Sequence, residues 1–321
     1  MIQMKQIIEI IPNYSEGKNR AVMEEIISPF QREGIYVCFL EMDSDYNRSV
    51  VTIIGEVETV IKSMVDSAII ASKRIDLNTQ RGEHPRMGAV DVIPLLPIKN
   101  ISEMDCQKAV IRLAQSISDL AKIPVYLYNK SATREERKLL PNIRRGEFEG
   151  LKEKMKSYHW IPDFGNQEPH PQAGVVAIGV RNPLIAYNID LNTENKKEAD
   201  LIARKIRFSS GGLPFVQAKA VVLKERGNAQ VTMNLTNYRE TSLSKVFHSV
   251  MEEAKKNNRS IISSEIIGLI PKEALLLSLP EIKSKEVSLE ELASIASNVF
   301  LLRDFSQKKI LDYYLADLSG E

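Results

Sequence analysis

Apolar and polar positions alternate along this chain in two different periods, and the switches between them mark its elements. "KQIIEII" near the N-terminus reads as a strand, and Lys18 to Arg32 carries helical spacing up to Gly34. "IYVCFLEM" and "RSVVTIIG" are β-rich runs separated by the polar turn "DSDYN". Val57 to Ile75 is helical, "AVDVIPLLPI" extended, Glu103 to Ala121 helical and "PVYLYN" extended again. Residues 131 to 158 predict two short charged helices broken by Pro141 and Gly146. The stretch "WIPDFGNQEPHPQAG" that follows has no periodicity, which predicts a functional loop.

The pattern then partly restarts. "GVVAIGV" and "LIAYNIDL" predict strands and Lys196 to Phe208 a helix; "FVQAKAVVL" and "AQVTMNL" predict two more strands. Ser244 to Asn257 is helical, "SIISSEIIGLI" extended, and Lys272 to Tyr314 carries terminal helices. The expectation is an α+β protein of two lobes joined near residues 179 to 188, with ligand bound where they meet.

Composition narrows the class. The 321 residues are 43% hydrophobic and 26% charged, and 43 Lys plus Arg nearly cancel 42 Asp plus Glu. A formal charge of +1 without aromatic–basic interleaving gives no reason to expect nucleic acid as a partner. No apolar run approaches the ~20 residues of a membrane span, and the first residues are too short an apolar stretch for a signal peptide. Cys38 and Cys106 read as core residues, and no histidine pair has metal-ligand spacing, so no metal is expected. A reducing, cytoplasmic setting is the expectation.

"RGEHPRMGAVDVIPLLPI" holds the most concentrated chemistry. Pro85 keeps His84 out of the helical region, and Gly82 and Gly88 permit a tight bend or a close backbone approach. An imidazole there is equally a loop histidine or a group that takes and returns a proton near neutral pH. In "PNYSEG", Ser15 or Asn13 either caps the next helix or leaves backbone N–H groups for an anion. In "DSDYNRSV", Asp43 and Asp45 are turn formers, or Asp43 orients a histidine while Arg48 offers a fork to a carboxylate. Arg181 stands at the lobe junction. His159, His170 and His248 are weaker candidates, of which His170 lies in the long loop.

Taken together, "PNYSEG", "NRSV", "RGEHPRMGAVDV", "PVYLYN", "RRGEFEG", "PDFG", "LIAYNIDL", "VQA", "AQVTMN" and "IIGLIP" resemble the formiminotransferases, in that family's order and almost end to end. The resemblance implies two subdomains, here 1–180 and 181–321, each a mixed sheet with helices on its outer face, enclosing a ligand tunnel. It implies transfer of a formimino group from N-formimino-L-glutamate to tetrahydrofolate, the co-substrate, within histidine breakdown, by a homodimer. It makes His84 the catalytic residue; on our own reading of the chemistry, Asp43 or Asp91 is the candidate to orient it. The folate-binding loop it implies is Gly165, Asn166, Gln167, Glu168, Pro169, His170, Pro171, Gln172, Ala173 and Gly174. Both substrates carry glutamate carboxylates, so Arg48, Arg86 and Arg181 are the expected clamps. Arg86, two residues beyond His84, would share its face in an extended segment. The chain ends without a second catalytic domain, so no cyclodeaminase activity is expected. N-formylglutamate as donor, and a folate-binding protein without turnover, are the alternatives.

Overall fold

A computed structural model of the chain describes residues 5–223, 226–282 and 287–319. It divides into two compact units, one ending at Arg181 and one beginning at Asn182. The first unit is built on a seven-stranded sheet. Strands β1 (Ile7–Ile10) and β2 (Asn13–Tyr14) form one interrupted strand between β4 (Arg48–Glu56) and β5 (Val90–Lys99), both antiparallel to it. Pro12, which has no N–H to donate, sits at the interruption. β3 (Ile35–Asp43) flanks β4. On the other side β7 (Val176–Val180) joins β5 and β6 (Val125–Leu127) in parallel.

One face of this sheet is packed by α1 (Arg20–Ile27), α2 (Val57–Arg74) and α3 (Glu103–Ala121). Met64, Ala68 and Ala71 of α2 and Val110, Leu113 and Ile117 of α3 are buried there against Ile8, Ile10, Ile53 and Ile93. Each of the larger aliphatic side chains contributes roughly 1.5–3 kcal/mol of burial. Ser102 caps α3 by accepting from the Asp105 N–H at 3.0 Å, worth about 1 kcal/mol. On the opposite face, Val92, Tyr126, Tyr128 and Ala177 pack against α4 (Leu140–Arg144) and α5 (Glu147–Lys154) through Ile143 and Leu151.

The second unit is an antiparallel sheet in the order β11 (Ile261–Ile267), β8 (Ile185–Leu191), β10 (Asn228–Leu235), β9 (Val216–Leu223). α6 (Lys196–Ile206) and α7 (Leu243–Lys256) cover the face carrying Tyr187, Ile189, Val231 and Met233. α8 (Lys272–Ser278) and α9 (Leu289–Phe300) complete that core, and α10 (Asp312–Ser319) follows. The sheet's other face is polar: Asp190 accepts from Gln230 at 2.8 Å and Ser263 at 2.9 Å and pairs with Arg303.

One expected strand falls elsewhere. "GVVAIGV" does not open the second pattern; as β7 it completes the first sheet in parallel with β5. Short apolar strands buried on both faces read alike in either sheet, so periodicity could not assign it.

Candidate active site

The segment leading to His84 is moulded onto the β3–β4 turn. The N–H of Glu83 donates to Asp45 O at 3.1 Å and that of His84 to Tyr46 O at 3.4 Å. Asn47, in the left-handed region at φ 49°, accepts from the Gly17 N–H and donates to Arg81 O, both at 2.9 Å. A Cβ on Gly82 would lie 2.3 Å from Tyr46 O, and one on Gly88 2.0 Å from Val175 O. The two glycines of the motif are therefore close-approach positions, and they fix the backbone on either side of the histidine.

A β-bulge supplies the partner. Asn13 pairs with Val92 but Tyr14 with Val90, which leaves Asp91 unpaired. Such an insertion re-aims a side chain, and the fully buried Asp91 carboxylate is held from three sides. Oδ1 accepts from the Met87 N–H at 2.7 Å; Oδ2 accepts from Arg144 Nε at 2.8 Å and pairs with its Nη2 at 2.5 Å. His84 Nε2 stands 3.6 Å from the same Oδ2. Burial pushes the Asp91 carboxyl up, but Arg144, His84 and the Met87 N–H outweigh it and hold it at about 2. Burial dominates at His84, only 7% exposed, and draws it below 6.5 although Asp91 pulls the other way. Arg48, lowered by burial and then by Arg144, completes the cluster and donates to Asn13 Oδ1 from Nε at 3.0 Å. The carboxylates of Asp91, Asp43 and Glu41 act on Arg48 against that lowering.

The remaining expected residues separate. Asp43 is not the partner of His84: it is exposed and accepts from the Tyr46 N–H at 2.9 Å, shaping the turn on which His84 rests. Arg86, 6% exposed, does not present a fork to a ligand. It pairs with Glu149 at 2.7 Å and Glu147 at 3.4 Å, and donates to Leu77 O and Gln80 O at 3.2 and 3.3 Å. Residues 82–88 are irregular rather than extended, so the shared face expected for Arg86 and His84 does not form. Arg181 follows β7, its N–H on Leu95 O at 3.0 Å. The first helix is capped from within, Asn19 Oδ1 accepting from Val22 and Glu16 Oε1 from the N–H groups of Lys18 and Asn19. An external anion would have to displace the Glu16 carboxylate.

In the loop from Gly165 to Gly174, His170 and Gly174 exchange backbone hydrogen bonds at 2.9 and 3.0 Å. His170 Nδ1 accepts from the N–H groups of Gln172 and Ala173, which leaves Nε2 as the protonated nitrogen. Gln167 Nε2 donates to Met155 O, and Gln172 Nε2 to Ser72 O. His170 and Gln172 line a cavity of about 520 Å³ with Ser72, Lys73 and Lys122. His159 and His248 lie on the surface, on Glu136 and on Ser244.

Arg144 and Asn13 are site residues that periodicity does not single out. Arg144 ends α4, whose last carbonyls are gathered by one lysine. Lys154 Nζ donates to the carbonyls of Asn142, Ile143 and Arg145 at 2.7, 2.6 and 3.0 Å and lies 3.9 Å over the Trp160 ring. Lys154→Met should cost roughly 1–3 kcal/mol by orphaning those carbonyls, read by urea unfolding. An unaltered midpoint would show that the carbonyls find other donors.

Compared with known proteins, residues 7–181 match the formiminotransferase domain, N-terminal subdomain, and residues 186–302 the formiminotransferase domain. The chain belongs to the formiminotransferase family. It is 40% identical over 274 residues to a glutamate formimidoyltransferase of Streptococcus pyogenes serotype M1, covering 85% of this chain and 92% of that one. A Thermoplasma acidophilum protein of the same name is 38% identical, covering 84% and 90%. The formimidoyltransferase-cyclodeaminase of Mus musculus is 37% identical over 85% of this chain but 52% of its own length, so the chain spans about half of that relative.

Proposed function

We propose that the protein is a glutamate formimidoyltransferase. It moves the formimino group of N-formimino-L-glutamate to the 5-nitrogen of tetrahydrofolate and releases L-glutamate, with His84 as proton shuttle. The observation that carries this reading is the Asp91–His84 pair on the "EHPRMG" segment, the carboxylate locked in its charged form by Arg144. The two similar glutamate formimidoyltransferases support it.

The chemistry follows from protonation states. The acceptor amine, weakly basic and neutral, attacks the amidinium carbon and forms a C–N bond. The new nitrogen then carries a surplus proton, which passes to the neutral His84. His84 returns it to the glutamate nitrogen as the old C–N bond breaks, so protons balance and no covalent enzyme intermediate is needed. Nε2 is directed at Asp91, so Nδ1 is the nitrogen that exchanges protons with the substrate. The guanidinium of Arg48, beside the Asp91–His84 pair, takes a substrate carboxylate, and the loop 165–174 takes folate. Asp43 then acts on the site through the turn beneath His84 and by its charge on Arg48, and Arg86 is engaged with Glu149. A homodimer in the cytoplasm, acting on these small molecules within histidine breakdown, completes the reading. Among the described residues no helix is long and apolar enough to cross a membrane, and none form a group of three or more His, Cys, Asp or Glu that could hold a metal ion.

The test supplies tetrahydrofolate with either N-formimino- or N-formylglutamate and measures the 5-substituted product. Preference for the formimino donor is expected. Preference for the formyl donor would replace this reading with the formyltransferase, and folate binding without product from either would leave a binder. Arg48→Ala should raise KM for formiminoglutamate roughly tenfold to a hundredfold, with kcat less affected. An unchanged KM would confine Arg48 to holding Asn13.

A further inference from the structure

A single proton decides whether the turn that closes the loop 165–174 is held. His170 Nδ1 accepts from the N–H of Gln172 at 3.3 Å and of Ala173 at 3.0 Å, while the backbones of His170 and Gly174 pair at 2.9 and 3.0 Å. The imidazole stands where an asparagine side chain stands in an Asx turn, accepting from its own backbone two and three residues on. An amide oxygen accepts at any pH. An imidazole nitrogen accepts only while the ring is neutral, because both nitrogens of the cation are donors. Protonation sets a ring N–H against two backbone N–H groups and loses both bonds.

This turn joins two segments of the first unit. Gln172 O accepts from the Leu77 N–H at 2.9 Å and Pro171 O from Asn78 Nδ2 at 3.1 Å. On the other side Ala173 O accepts from the Ala89 N–H at 2.9 Å and Met87 O from the Val175 N–H at 3.0 Å. Gly174, at φ 66°, comes so close that a Cβ there would lie 2.1 Å from Met87 O. The cavity that His170 and Gln172 line carries Lys73, at the end of α2, and Lys122, just past α3; no described carboxylate lines it. Other charged groups on these elements are engaged elsewhere: Arg74 pairs with Glu25, Asp76 accepts from Asn78, Arg86 pairs with Glu149, and Asp119 accepts from Gln115. Glu168, on the loop itself, is exposed. Burial therefore governs the ring and draws it below 6.5. It is neutral at pH 7 and takes up a proton in acid.

We infer that His170 is a positioning residue for the folate co-substrate: its neutral ring keeps the turn 170–174 closed, and its protonation opens the turn and weakens folate binding. It acts through the backbone of the loop and touches no reacting atom. An asparagine at this position would make the turn permanent, whereas histidine makes one that acid releases. This rests on the loop 165–174 taking folate, within the formimidoyltransferase reading.

The experiment titrates wild type, His170→Asn and His170→Ala with tetrahydrofolate by calorimetry from pH 8 to pH 5. Hydrogen exchange of the Gln172 and Ala173 amides is followed over the same range. Comparing the proteins at each pH cancels the titration of the ligand and of His84. Asparagine sets an amide oxygen where Nδ1 was, so His170→Asn should hold the turn across the whole range. Wild type should match it at pH 8 and bind roughly tenfold more weakly at pH 5, the worth of two lost hydrogen bonds. Its two amides should lose protection, relative to His170→Asn, over the same interval. His170→Ala should bind roughly tenfold more weakly than His170→Asn at every pH. The same pH dependence in wild type and His170→Asn, for affinity and exchange alike, would overturn the inference. So would weak binding by His170→Asn at pH 8, which would mean that the ring itself contacts folate. Amides that open in acid while affinity stays level would overturn the link to folate and the assignment of the loop on which it rests, the amides still reporting the hold of His170 on the turn.

Discussion

Replacing His84 with alanine is expected to lower turnover roughly 100- to 10,000-fold, the contribution of a positioned acid–base group, and to leave folate affinity unchanged. The separation of the two effects follows from what the imidazole touches. Among the described residues its ring pairs with Asp91, 3.6 Å away, and the loop assigned to folate is anchored by its own contacts to Met155 and Ser72. Burial holds the ring below 6.5, so it is neutral and ready to accept a proton at pH 7. The acid limb of kcat/KM in the wild type should therefore have its midpoint below 6.5 and vanish with the residual activity of His84→Ala. The depressed value also makes His84 a contributor to stability that is complete above its unfolded pKa and is lost as pH falls through its folded one. Full turnover in His84→Ala, or a wild-type acid limb above 6.5, would move the proton transfer to another residue.

How much of this could be read beforehand differs from residue to residue. His84 was legible because Pro85 and two glycines restrict the backbone by local sterics, which act within a few residues and are written in the sequence. The helices α2 and α3 were legible for the same reason, their apolar stripes being periodic. Asp91 was only half legible: its place after "GAV" puts it at a strand start, but the bulge that turns it to His84 depends on how Asn13 and Tyr14 register against β5. Register is a property of the pair of strands and not of either one. Arg144 was hidden more deeply, because it meets Asp91 across 53 positions from a five-residue helix whose basic character reads as surface. Asp43 and Arg86 failed in the opposite direction. Their side chains have the right chemistry for orienting and clamping, but hydrogen bonds to Tyr46 and ion pairs to Glu147 and Glu149 engage them elsewhere.

Asp91→Asn should separate stability from chemistry at the centre of the site. Asparagine has the shape of the protonated acid, so it keeps an acceptor for the Met87 N–H but loses the charge and sets an NH2 donor where Oδ2 accepted from Arg144. The carboxyl lies at about 2 in the folded protein against an ordinary 3.8, which makes the charge worth about 2 kcal/mol. Asp91→Ala, which also leaves Arg144 and the Met87 N–H without an acceptor, should cost roughly 3–5 kcal/mol. The sign in pH follows from the depression: the wild-type increment is complete above 3.8 and disappears as pH falls through about 2. Urea unfolding should therefore bring wild type and Asp91→Asn together in acid and apart at pH 7. The same substitution acts on catalysis in a second, independent way. Asp91 raises His84 by its charge, 3.6 Å from Nε2, so removing the charge should shift the acid limb of the rate profile to lower pH while kcat falls. A residue that only filled space would leave that limb where it is. An unmoved limb with normal turnover would remove Asp91 from the mechanism, and a limb displaced upward would mean that Asp91 does not favour the protonated imidazole.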